Sequence, residues 1–117
     1  MDNQTPIRLR PVNLYEDCKL ALQWYQDLEV IHFSEGPDVE PYDLITVQAM
    51  YEYLNSIGKL LIIEVFEDGE WVSIGDVTFS KESIPIVIGD RKYRSRGIGT
   101  EVMKKIIELA KKKIGKN

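Results

Sequence analysis

The stretch Arg94-Ser95-Arg96-Gly97-Ile98-Gly99-Thr100 follows a strand-like apolar run, Ile84 to Ile88, and opens an amphipathic helix expected from Thr100 to Ile114. It has the form R-x-x-G-x-G. A strand, a basic glycine-rich turn and a helix together aim free backbone N–H groups at an anion. Gly97 and Gly99 lack Cβ atoms, so the turn bends sharply and a ligand approaches the backbone closely. Arg94 and Arg96 add guanidinium groups suited to bidentate phosphate contact, and Thr100 adds a hydroxyl at the helix start. These groups fit a pyrophosphate.

Two better-known phosphate loops do not match. A Walker A loop requires Gly-Lys-Ser/Thr, whereas Gly99 is followed by Thr100-Glu101. A dinucleotide fingerprint requires a third glycine, and Val102 stands in its place. A turn that merely connects a strand to a helix remains the simpler alternative at this point.

Upstream, Ile7 to Val12 alternates like a strand, and Asn13 is a suitable N-cap for a helix from Leu14 to about Leu28. Its apolar positions are Cys18, Ala21, Leu22, Tyr25 and Leu28, with Trp24 beside them. His32 to Pro41 reads as an acidic loop containing Gly36, Pro37 and Pro41. A second helix is expected from Leu44 to Ser56, with Val47, Met50, Tyr51 and Leu54 as its apolar stripe and Gly58 as its stop. Lys59–Phe66 and Trp71–Phe79 read as a hairpin around Asp68-Gly69, and a further strand spans Ile84 to Gly89, with Pro85 near its start. The order is β-α-α-β-β-β-α, an α+β chain with a mainly antiparallel sheet and flanking helices.

The 117 residues suit one domain, and 44% hydrophobic with 29% charged residues is a globular composition. The longest apolar runs, such as Leu60 to Ile63, fall far short of the roughly 18–20 residues of a membrane span. The polar start, Met1-Asp2-Asn3-Gln4, does not read as a signal peptide. Cys18 is the sole cysteine, which excludes an internal disulfide and a cysteine-based metal site; a cytoplasmic setting and no metal are expected. The net charge of −4 hides an asymmetry: residues 1–90 carry 5 Lys/Arg against 17 Asp/Glu, and residues 91–117 carry 10 against 2. The basic end suits a polyanion and the acidic part a cation. The tail shows no aromatic interleaving and no nucleic-acid motif, so nucleic acid is not the expected partner.

With these elements in order, the chain resembles the GNAT family of N-acetyltransferases along essentially all 117 residues. There a β-α-α-β-β-β core leads to a Q/R-x-x-G-x-G/A turn opening a long helix, matched here by Arg94 to Gly99. Ile86 to Tyr93 and Leu22 to Val30 resemble the branch that includes ribosomal-protein and aminoglycoside acetyltransferases. The resemblance implies acetyl-CoA as co-substrate. Backbone groups around Val87, Ile88 and Gly89 would pair with the pantetheine arm, and backbone N–H groups from Arg94, Ser95, Arg96, Gly97, Ile98, Gly99 and Thr100 would hold the pyrophosphate. An acceptor amine would attack the thioester directly, with no covalent enzyme intermediate. The alternatives are a non-catalytic CoA-binding module and an inert domain.

No general base is evident. Glu35, Asp76 and Glu82 are candidates by position, and His32 borders the loop that walls the acceptor site in the family. The acidity of Glu35, Asp38 and Glu40 suggests a cationic acceptor, such as an aminoglycoside, a polyamine or a basic peptide N-terminus. Family members continue past the long helix into a fifth strand, which supplies one wall of the cleft and usually a tyrosine acid. By resemblance, residues 1–117 are therefore a single, partial acyltransferase domain, and no residue is assigned that acid. Its fourth strand would then present an unpaired edge. Self-association or low stability is expected; a monomeric mass in sedimentation together with a sharp, cooperative thermal transition would contradict this.

Overall fold

Antiparallel pairing runs through the whole sheet, whose strands lie side by side in chain order. A computed structural model describes residues 6–30, 40–94 and 96–115, with side chains up to 112. Its elements are β1 (Ile7–Pro11), α1 (Leu14–Tyr25), α2 (Leu44–Ile57), β2 (Gly58–Glu67), β3 (Glu70–Ser80), β4 (Ile86–Ile88), a 3-10 turn (Arg91–Tyr93) and α3 (Ile98–Gly115). The α+β architecture expected from the pattern is the one observed.

β2 is apolar on both faces because both faces are covered. Leu60 and Ile62 join Cys18, Ala21, Trp24, Tyr25, Val47 and Tyr51 in a core under α1 and α2. Leu61, Ile63 and Val65 point the other way, against Ile98, Val102 and Ile106 of α3. The β2–β3 hairpin turns at Asp68 (φ 54°) and Gly69 (φ 84°), the positive angles of a type I′ turn.

Helix boundaries follow local hydrogen bonding. The Asn13 side chain accepts from the amides of Tyr15 and Glu16, as an N-cap should. α1 stops at Tyr25 rather than near Leu28, and Leu28 is exposed. The cause is Asp27, whose carboxylate accepts the Glu29 amide at 2.9 Å and starts a new helical segment at 28–30. β4 is shorter than Ile84–Gly89. Pro85 has no N–H to give, and the amides of Gly89 (2.7 Å) and Asp90 (3.1 Å) converge on the Ile74 carbonyl. Ile74 is the extra residue of a bulge, since Ile63 pairs with Gly75 while Glu64 pairs with Ser73. α3 starts at Ile98, two residues before the expected Thr100.

An ionic network ties β1 to its neighbours. Arg10 grips Asp17 of α1 through both terminal nitrogens (2.9 and 2.8 Å) and Glu64 of β2 through Nε (2.8 Å). Arg8 reaches the other Glu64 oxygen at 2.5 Å. Both carboxylates are buried. Burial pushes each pKa up, but the arginine contacts, helped at Asp17 by the Asn13 amide, overcome it and hold both below the usual carboxylate range. Folding is thus favoured while they are ionised, and that stability is lost as pH falls through the depressed values. Arg10→Gln should cost about 3 kcal/mol at pH 7 by leaving two buried carboxylates underpaired. In urea unfolding, the gap from the parent should narrow as pH drops below about 4; a pH-independent gap would refute the role.

Candidate functional site

The exposed edge of β4 and the N-terminus of α3 enclose a groove of about 610 Å³. Ile86, Val87 and Ile88 form one side, Gly97, Ile98 and Gly99 another, and Glu29, Val30, Tyr93 and Arg94 the remainder. Two bonds from β3 frame β4: Thr78 N–H to Pro85 O (3.1 Å) and Gly89 N–H to Ile74 O (2.7 Å). The register pair Asp76–Val87 lies between them. In an antiparallel ladder this alternation turns the backbone groups of Ile86 and Ile88 away from β3. The edge groups available to an extended ligand are therefore those of Ile86 and the Ile88 amide, because Arg94 takes the Ile88 carbonyl. Val87 pairs with β3, and the Gly89 amide is spent on Ile74.

Gly89 has a different purpose. A Cβ there would lie 2.2 Å from the Trp24 ring, so its missing side chain lets the strand end rest on the indole. Trp24 is accordingly a core residue, 4% exposed. Among the described residues of the turn, only Gly97 has a positive φ (77°), and added Cβ atoms at Gly97 and Gly99 would meet nothing within 4 Å. Backbone geometry thus demands glycine at 97, while at 99 glycine keeps open the space above the helix start.

The first intrahelical bond of α3 runs from the Glu101 amide to the Gly97 carbonyl at 3.2 Å. The amides of Ile98, Gly99 and Thr100 therefore have no carbonyl within the helix to bond, and they sit at its positive dipole end. Ile98 buries its side chain in the core, so only its backbone bears on the groove's chemistry. The Thr100 side chain is exposed and does not line the groove.

Arg94 departs from the expected free cation. Its Nε donates to the Ile88 carbonyl (3.1 Å) and Nη2 to the Gly89 carbonyl (3.2 Å), while Nη1 meets the Glu29 carboxylate. It braces the strand end. Arg96 keeps its charge outward, over the Tyr93 ring at 5.3 Å and with a 3.3 Å bond to the Lys92 carbonyl. Ser95 lies outside the described residues.

The candidate bases separate widely. Glu82 sits in the exposed β3–β4 turn and does not line the groove. Glu35 and His32, like most of the acidic loop, lie outside the described residues. Asp76 is buried on the α1–α2 side, one strand in from the groove. It accepts hydrogen bonds from Tyr25 Oη (2.8 Å) and Tyr51 Oη (2.7 Å). Burial raises its pKa to about 6 although the tyrosine hydroxyls pull it down. Glu29, Val30 and Tyr93 line the groove without having been expected there. Glu29 gave no signal, since an isolated acid after a helix is ordinary.

Turn, strand edge and helix thus meet around one groove, and a family profile described as the acetyltransferase (GNAT) family matches residues 21–117. The chain belongs to the GNAT acetyltransferase family. A domain from Methanocaldococcus jannaschii DSM 2661 has a similar fold, with a TM-score of 0.73 and 19% identity over 93% of this chain and 72% of that one. A protein from Acinetobacter baylyi ADP1, provisionally assigned as an acetyltransferase, gives a TM-score of 0.64 and 13% identity over 97% of this chain and 66% of that one. A search of curated proteins found no match. Among the described residues no cluster suited to a metal ion occurs and no helix is long and apolar enough to cross a membrane.

In this GNAT domain the Asp76 contacts carry a pH signature. A raised pKa means the folded state holds the proton more tightly, so this contribution is full below the ordinary carboxylate value of about 4. It is lost as pH rises to about 6. Asp76→Asn, which still accepts from both tyrosines, should remove that decline. Thermal midpoints across pH 4–7 read it directly, and parallel profiles for parent and variant would refute it.

Proposed function

We propose that this chain is an acetyl-CoA-dependent N-acetyltransferase domain acting on a cationic primary amine. The observation that carries the reading is the groove itself: the outward-turned backbone groups of Ile86 and the Ile88 amide lead to the first-turn amides of α3, which have no partner within the helix. The open space over Gly97 and Gly99 is what a diphosphate requires. The amides of Ile98, Gly99 and Thr100, with Arg96 beside them, would hold the diphosphate. The Ile86 backbone groups and the Ile88 amide would pair with the pantetheine arm as a neighbouring strand would.

Acetyl-CoA supplies an acyl group activated as a thioester. The domain's own contribution is to fix that group at the end of β4 and present an amine to it. Attack forms the C–N bond and breaks the C–S bond; the sulfur leaves as thiolate and the amine sheds one proton. Family membership supports direct transfer. The acidity of Glu35, Asp38 and Glu40, and the resemblance to the ribosomal-protein and aminoglycoside branch, support a cationic acceptor. Of the candidate bases, Glu82 does not line the groove and Asp76 is enclosed by Tyr25 and Tyr51, so Glu35 is the proposed taker of the proton. That enclosure favours one second reading, a domain that binds CoA without turning it over.

Titrating CoA while following amide chemical shifts separates these readings. Gly97, Ile98, Gly99 and Thr100 should shift, together with Ile86 and Ile88. An unchanged spectrum at millimolar CoA would overturn both. Free thiol released from acetyl-CoA with a panel of amines should then be greatest for cationic ones. Binding without thiol release would leave the non-catalytic reading.

A further inference from the structure

The two carboxylates that flank Arg94 are bound in very different ways. Asp27 is held twice by Arg91, Nε to Oδ2 at 2.8 Å and Nη2 to Oδ1 at 2.9 Å, and it caps the Glu29 amide as well. Its side chain is 16% exposed. Its pKa lies well below the usual range, chiefly because of the Arg91 contact. It also stands 3.6 Å from Arg94 Nη2. Glu29 is 50% exposed and uses Oε1 alone, on Arg94 Nη1, with Arg91 Nε a distant 3.7 Å away. Asp27 fixes the Glu29 backbone amide, so the Glu29 side chain can swing without disturbing the chain behind it.

The position of this contact matters. Both Glu29 and Arg94 line the groove. Arg94 is itself tied to the strand end, because Nε and Nη2 donate to the Ile88 and Gly89 carbonyls. Nη1 is the part of the guanidinium left for another partner, and Glu29 holds it. An anion approaching the first turn of α3 therefore meets a carboxylate standing between it and a fixed positive charge.

We infer that Glu29 is a built-in counter-ion that competes with the ligand's diphosphate for Arg94 Nη1 and is displaced when the diphosphate binds. This rests on the coenzyme reading above and adds to it a determinant of anion affinity. A diphosphate carries more charge than one carboxylate and also gains the α3 amides and Arg96, so it can replace Glu29. A weakly charged anion gains less and must overcome the same contact. Glu29 thus sets a threshold: the penalty is common to every anion that takes Nη1, and a diphosphate has contacts enough to exceed it.

The test is Glu29→Gln in the full chain, probed by calorimetric titration with inorganic pyrophosphate, orthophosphate and CoA. The variant should keep its thermal midpoint, because the side chain is half exposed. Pyrophosphate and CoA should bind about two- to fivefold more tightly at low salt, the scale of removing one partly exposed opposing charge. The gain should shrink as salt screens it, and orthophosphate, if it takes the same Nη1, should gain by a similar factor. A Glu29 that merely braces the site predicts the opposite sign. Unchanged or weaker pyrophosphate binding in the variant would overturn the inference. Glu29→Asp, which keeps the charge but shortens its reach, should fall between the two. Pyrophosphate binding without CoA binding would remove the coenzyme reading, while the Glu29 contrast is still decided on pyrophosphate. Binding of neither by the parent chain would overturn both.

Discussion

The single carbonyl of Ile74 organises the functional end of this molecule. It accepts the amides of both Gly89 and Asp90 at the bulge of β3. That double acceptance ends β4 after three residues and turns the chain out of the sheet. The turn is possible only because Gly89 presents no side chain to Trp24. Arg94 then holds the carbonyls of Ile88 and Gly89 from the other side. Strand edge, 3-10 turn and helix start are consequently fixed relative to one another, which is what aligning a long, jointed ligand requires.

The two faces of the sheet have separate duties. The α1–α2 face buries polar groups: Asp76 with Tyr25 and Tyr51, and Thr78, whose hydroxyl has no partner among the described residues. The α3 face is uniformly apolar, a rigid platform from which the helix points its N-terminus at the groove. The acidic body and basic C-terminal segment seen in the composition are joined by contacts of Asp27 and Glu29 with Arg91 and Arg94. Part of that charge asymmetry is therefore neutralised inside the fold rather than offered to partners.

Much of this was legible in the sequence because it depends on short-range chemistry. Asn13 caps α1, Asp68-Gly69 turns the hairpin, and Gly97 takes the positive φ of the R-x-x-G-x-G turn. What was hidden depends on distant partners. Leu28 fits a helical stripe, yet Asp27 ends that stripe by capping the next segment. Arg94 looks like a phosphate ligand until Glu29 appears beside it, 65 positions away in the chain. The bulge at Ile74 also reverses the alternation of β3: Val72 and Ile74 share the α3-side core with Val77 and Phe79. A simple even–odd pattern could not reveal that Asp76 lies inside.

Cys18 is 1% exposed in the layer formed by α1 and α2, and burial pushes its thiol pKa up. A protonated, enclosed sulfur is chemically silent toward alkylating reagents. It is also the sole sulfhydryl in the sequence. Its rate of labelling therefore reports how often α1 lifts from the sheet, without any engineered probe. Because the groove is built on the opposite layer and the strand edge, that rate separates breathing of the helical cover from events at the α3 terminus.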